Sequence, residues 1–117
     1  MIMNEWGRLI DEWCDRKGWN QNLVMGNMIA NLHSEISEAW EEIRNGHSIK
    51  EVYFTTSQLD INGDNTPKPE GFGIEMADLI IRILHICAHY GLDIDSLVEQ
   101  KMAYNEKRPY RHGGKLA

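Results

Sequence analysis

Residues 74–91 read IEMADLIIRILHICAHYG. Ile74, Ala77, Ile81, Leu84 and Ala88 form one apolar row at helical spacing, and Ile80, Ile83, Cys87 and Tyr90 form a second. Between them runs one polar stripe, Glu75, Asp78, Arg82, His85 and His89, at steps of three and four. A helix that is apolar on nearly every side is an enclosed helix. In a chain of 117 residues the enclosure comes from the rest of the chain or from a second copy, and the reading favours a homodimer or homotetramer built on this helix.

The flanking segments supply the other helices. Over residues 2–17, Ile2, Trp6, Leu9, Ile10 and Trp13 recur at helical spacing, and Gly18 ends the run. Over 22–44, Met25, Met28, Ile29, Leu32, Ile36, Ala39, Trp40 and Ile43 make an apolar face that Asn45-Gly46 stops, with Trp40 read as core. Gly91 terminates the third helix. Asp93 can cap a fourth, which runs to about Arg108 and stops at Pro109. Residues 46–72 break the pattern with Gly46, Gly63, Pro67, Pro69 and Gly71 around a β-like EVYFTT, and are read as an inserted loop with a small hairpin or short strand. The expected fold is all-α: a four-helix bundle in one domain, 1–117, with the inserted loop at 46–72 and a polar tail at 109–117.

Composition narrows the function. Apolar content of 42% and four tryptophans mark a folded globule. A net charge of −6 argues against a nucleic-acid partner. The charge is uneven, because Lys101, Lys107, Arg108, Arg111 and Lys115 cluster at the end of an acidic body. Two cysteines without framework spacing, no signal-peptide pattern and no membrane-length apolar run lead to the expectation of a cytoplasmic protein without a membrane partner.

The chemistry-bearing residues are acids in pairs. Glu35 and Glu38 share a face of the second helix, and Glu75 and Asp78 share a face of the third. Such pairs are common on solvated helix faces, and acids near a helix N-terminus are favoured by the macrodipole. Facing each other across antiparallel helices, however, four carboxylates would repel unless a hard divalent cation such as Mg²⁺ sat among them. On the fourth helix, Lys101, Asn105 and Arg108 share one face and suit phosphate oxygens. The acidic and basic halves together describe a site for a metal-bound polyphosphate.

At this point the residues resemble a known family. LHSEISEAWEEIRNG, KPEGFGIEMADLIIRIL and GLDIDSLVEQKMAYNEKRPYRHGGK carry E-x-x-E, E-x-x-D and K-x-x-x-N-x-x-R in order. This looks like the MazG-like nucleotide pyrophosphohydrolases of the all-α NTP pyrophosphatase superfamily. The resemblance implies an oligomeric enzyme dependent on Mg²⁺, with Mn²⁺ as a substitute. It would cleave a nucleoside triphosphate between the α and β phosphates, giving a monophosphate and diphosphate, in nucleotide-pool clearance. It also implies metal ligation by Glu35, Glu38, Glu75 and Asp78, with Glu35 or Glu38 as catalytic base, and phosphate contacts from Lys101, Asn105 and Arg108. Two departures stand out: Ser34 occupies a position where many members carry a further Glu, and the stretch between the acidic motifs is longer than in compact members. The alternative is a helical nucleotide-binding or regulatory module of the same fold without turnover.

Other residues have secondary readings. Trp19, Tyr53 and Phe54 are candidates to touch a base or form a lid, and Arg82 is a candidate support for the carboxylates. His85 and His89, with His33 and Cys87, resemble a zinc donor set, but the neighbouring acids suit a harder cation. The histidines are read as hydrogen-bonding groups within or between subunits.

Overall fold

The computed structural model describes residues 2–56 and 66–116; residues 57–65 of the inserted stretch lie outside the described residues. The elements are α1 (Ile2–Arg16), α2 (Met25–Arg44), β1 (Tyr53–Thr55), β2 (Lys68–Glu70), α3 (Phe72–His89), α4 (Ile94–Glu106) and a single turn, α5 (Arg111–Gly114). The chain is mostly helical, as its periodicity requires. No helix among the described residues is long and apolar enough to cross a membrane.

The greasy third segment is the central element: α3 packs on α1 on one side and on α2 on the other. The small core joins Ile10 and Cys14 of α1 to Leu84 of α3, with Met3 and Ile94 against it. Gly7 sets the α1–α3 spacing, because a Cβ there would stand 3.0 Å from the Leu84 carbonyl oxygen and 3.2 Å from Ala88 Cβ. α3 ends where expected. Gly91 takes φ +71°, and the Leu92 N–H donates to the Cys87 carbonyl at 2.8 Å, satisfying a terminal carbonyl that the helix leaves open.

α1 and α4 cap each other. Asp95 accepts from the backbone N–H of Met3 at 3.3 Å and of Asn4 at 3.0 Å. In return Asn4 Oδ1 accepts from the Ile94 N–H at 3.0 Å, and Asn4 Nδ2 donates to Asp93 at 2.7 Å. Each side chain satisfies orphan donors at the other helix's N-terminus. Asp93 also caps its own helix, accepting from Ser96 N at 3.1 Å.

The inserted stretch contains a two-stranded antiparallel hairpin, Tyr53 opposite Glu70 and Thr55 opposite Lys68, and β2 leads through Gly71 straight into α3. A β hairpin in the loop was among the expectations; its position at the start of α3 was not. Three further details differ from the sequence reading. α4 stops at Glu106, short of Arg108, and part of the polar tail folds into the α5 turn. Trp40, read as core, is 58% exposed. α3 is enclosed only in part: Leu84 and Cys87 are buried, while Ile80, Ile81 and Ile83 remain exposed. The last has a physical reason: among the described residues α3 packs mainly on α1, α2 and the short β2, too few to cover every side of an all-round apolar helix.

Candidate functional site

The packing of α2 on α3 decides where the acids go. Glu35 sits mid-helix on α2, and Glu75 and Asp78 lie in the first two turns of α3. Oxygens of Glu35, Glu75 and Asp78 all come within 4.8 Å of one another. Glu38, one turn after Glu35, joins by hydrogen bonding to Glu75. The four acids singled out from sequence are thus brought together in space.

Their environment is unusual for carboxylates. Glu35 is 6% exposed, and its Oε2, like Glu75 Oε2, is buried without a hydrogen-bond donor. Orphaned buried oxygens of this kind are costly and call for a proton or a cation. Burial, hydrogen bonds with Glu35 and Glu38, and the charges of those two acids push the Glu75 carboxyl up to about 8. A hydrogen bond between two carboxyl groups requires a proton on one of them, and Glu75 is the group that holds it. Burial, then the Glu35 charge, also raises Asp78, opposed by Arg82 and Lys68. These all-oxygen donors are the residues that could hold a hard cation, which would replace the shared proton.

Arg82 belongs to this cluster. Its Nε donates to Glu35 Oε1 at 2.8 Å, so it neutralises one carboxylate oxygen and leaves the other free. Lys68, on β2, is the second cation acting on Asp78. It sits seven residues before Glu75, in the stretch read from sequence as an inserted loop. No periodicity could have assigned it to the cluster; only the hairpin's attachment to α3 does.

The basic stripe expected on the fourth helix is placed differently, with Lys101 and Asn105 on α4 and Arg108 just beyond its end. Lys101 Nζ and the Arg108 guanidinium lie over the Tyr104 ring, 4.8 and 5.7 Å from its centre. Asn105 makes only a long contact with Met102 Sδ at 3.9 Å. α4 packs on α1, and no α4 cation contributes to the fields at Glu75 or Asp78. Lys101, Asn105 and Arg108 are therefore together with one another but not with the acids of their own chain.

A cavity of about 330 Å³ opens beside Asp78 and Arg82, walled by Trp13, Trp19, Leu23 and Met28 with Asn31 at its edge. Trp19, a candidate base contact, lines this cavity. Tyr53 and Phe54 are not among its walls. Tyr53 instead stacks on His47 and donates its hydroxyl to Glu42 at 2.8 Å. That hydrogen bond, followed by burial, pushes the Tyr53 phenol up to about 12. Phe54 is exposed. A larger hollow of about 430 Å³, at the α1–α4 junction, contains none of the four acids.

His85 and His89 find partners within the chain. His89 Nδ1 lies 3.1 Å and His85 Nε2 3.4 Å from Asp11 Oδ1, and Asn20 bridges His85 at 2.6 Å and Asp15 at 2.6 Å. Asp11, His85 and His89 form a second set of donors close enough to share a cation. Asp11 was not singled out from sequence, since only the α1–α3 contact brings it to the histidines. Burial keeps His85 below the usual histidine range against the Asp11 charge. His33 and Cys87 are not part of this set.

No protein-family model matches the chain, and neither a curated protein nor a solved structure matches it at a significant level.

Proposed function

We propose that this chain is a divalent-cation-dependent nucleoside triphosphate pyrophosphohydrolase of the MazG-like kind, acting as a homo-oligomer. The observation that carries the reading is the convergence of Glu35, Glu38, Glu75 and Asp78 between α2 and α3, with two buried carboxylate oxygens lacking any donor. A solvated acidic face has no reason to bury such atoms, and a structural ion pair has no reason to leave them unpaired. The motif order in the sequence supports the same reading independently.

A cation bound there, Mg²⁺ or Mn²⁺, would supply charge neutralisation for the triphosphate and acidify a water. Arg82 holds Glu35 in place by its 2.8 Å hydrogen bond, so the carboxylate keeps one oxygen aimed at the cluster. Glu38 is, with Asp78, an exposed member and is suited to take the proton of an attacking water, since its protonation does not require opening the core. The water oxygen attacks the α-phosphorus, the bond from that phosphorus to the α–β bridging oxygen breaks, and diphosphate departs with that oxygen. The cavity walled by Trp13 and Trp19 lies beside Asp78 and is of a size for a nucleobase. Two buried free thiols, Cys14 and Cys87, are compatible with a reducing cytoplasm.

The test is diphosphate release from a panel of nucleoside triphosphates with and without Mg²⁺. Cation-dependent release with a monophosphate co-product is expected. Tight nucleotide binding without release would instead favour a non-catalytic nucleotide-binding module.

A further inference from the structure

We propose that Asp11, His85 and His89 form a binding site for a late first-row divalent cation, Zn²⁺ in particular, that fastens α1 to α3 apart from the acidic cluster. The site goes beyond the hydrolase reading and does not depend on it.

His85 and His89 stand four apart on α3, so both imidazoles leave the same side of the helix. Their ring centres are 5.7 Å apart and the planes are tilted by 56°, so the rings do not stack. α1 packs on α3 and brings Asp11 to them. Asp11 Oδ1 lies 3.1 Å from His89 Nδ1 and 3.4 Å from His85 Nε2. A tetrahedral zinc centre with nitrogen and oxygen ligands has donor–donor edges of roughly 3.3 Å. Both contacts therefore have the length that a shared cation requires. One donor atom from each residue lies within 4.8 Å of the other two. All three side chains are partly buried, sheltered from bulk water yet open enough for an ion to enter.

Hydrogen bonds do not account for the whole arrangement. Asn20 Nδ2 also reaches Asp11 Oδ1, at 3.0 Å. Three nitrogens thus crowd one carboxylate oxygen, which has two lone pairs. Asn20 Nδ2 is oversubscribed in turn. It carries two hydrogens and faces Asp11 Oδ1, the Asp11 carbonyl at 3.2 Å and Asp15 Oδ1 at 2.6 Å. A cation relieves the crowding. Each neutral imidazole turns a lone pair inward and carries its proton on the outer ring nitrogen. The fourth position falls to water or to Asn20 Oδ1, which is 2.6 Å from His85 Nε2. Asp15 adds a second negative charge near His85, and the opposing charge of Arg82 is engaged by Glu35.

The donor types select the metal. Two imidazoles and one carboxylate suit Zn²⁺, whereas the all-oxygen cluster of Glu35, Glu75 and Asp78 suits Mg²⁺. The chain thus sorts two cations by ligand chemistry, on successive turns of α3. The zinc would act as a staple. The core between α1 and α3 is thin, with Ile10, Cys14 and Leu84 as its buried members, and metal bonds supply what a small core does not. The staple also holds the cavity walls. Trp13 and Trp19 belong to α1 and the turn after it, and His85 lines the same cavity one turn after Arg82.

The experiment titrates Zn²⁺ by calorimetry into tag-free protein stripped with a chelator and held in excess Mg²⁺. One Zn²⁺ per chain and a raised melting temperature are expected. His89→Gln should weaken binding by roughly 100-fold or more, since losing even a group that only supports a ligand costs about 10–100-fold. Glu38→Gln, in the acidic cluster, should bind Zn²⁺ like wild type. X-ray absorption at the zinc edge of the wild-type protein reads the donor set without any variant, and two imidazoles with oxygen ligands are expected. Three results would each overturn the site: no saturable Zn²⁺ binding in Mg²⁺, binding lost in Glu38→Gln but kept in His89→Gln, or a shell of oxygens alone. Every readout is of binding, so a chain that hydrolyses no nucleotide can still hold the zinc, and a chain that holds none can still be a hydrolase.

Discussion

Arg82 of α3 donates to Glu35 of α2 at 2.8 Å, across 47 positions of sequence. The pair resolves the mixed polar stripe of α3 into two working parts. Glu75, Asp78 and Arg82 face α2 and the acidic cluster, whereas His85 and His89 face Asp11 of α1. One helix thus serves two neighbours with successive turns of the same stripe.

Arg82→Ala should destabilise the protein by about 1–3 kcal/mol, because it strips the charged partner from a nearly buried carboxylate while Arg82 itself is half-exposed. Added Mg²⁺ should recover part of that loss by compensating Glu35. Urea titrations of both proteins with and without the cation test this; equal midpoints would show that the pair carries no stability.

Glu38→Gln should lower diphosphate release by roughly 100-fold or more while leaving the circular-dichroism spectrum and melting temperature near wild type. Its side chain is exposed, so the fold does not depend on it. Retained turnover would remove Glu38 from the chemistry.

Stability of the metal-free protein should fall as pH rises. The Glu75 carboxyl is pushed from 4.5 up to about 8, so the folded chain binds this proton more tightly than the unfolded chain does. The contribution is complete below the unfolded value and disappears as pH climbs through the folded one. Melting temperature of the apoprotein should therefore drop between roughly pH 5 and pH 8. Mg²⁺ should flatten the drop by taking the proton's place, and Glu75→Gln should flatten it without metal. A melting temperature that rises across this window in the wild type would contradict the burial of Glu75.

Gly71→Ala should loosen the start of α3. Gly71 has φ +134°, and a Cβ there would collide with the Glu51 carbonyl oxygen. The hairpin would have to shift away from α3, carrying Lys68 with it, and the first turn that holds Glu75 would lose its anchor. The expected result is weaker Mg²⁺ protection in thermal melts and reduced hydrolysis. Unchanged Mg²⁺ protection would show that the hairpin is dispensable for the site.

Much of this protein was legible in the chain itself, for local reasons. Helical spacing of apolar residues marked the helices, Gly91 marked an end, and Asp93 marked a start, because these signals act through backbone geometry within a few residues. The pairing of Glu35 with Glu38 and of Glu75 with Asp78 on their faces followed from the same period. What periodicity could not supply was which face meets which helix. The capture of Glu35 by Arg82, the approach of Lys68 on a hairpin, the Asp11 partner of both histidines and the separation of α4 from the acids all depend on how helices stack. The same limit applies to Trp40, whose place on an apolar face was evident but whose exposure was not. An apolar row states that something must cover it. Only the tertiary structure decides how much of the cover the chain supplies, and among the described residues Ile80 and Ile83 of α3 and Leu97 and Met102 of α4 stay exposed.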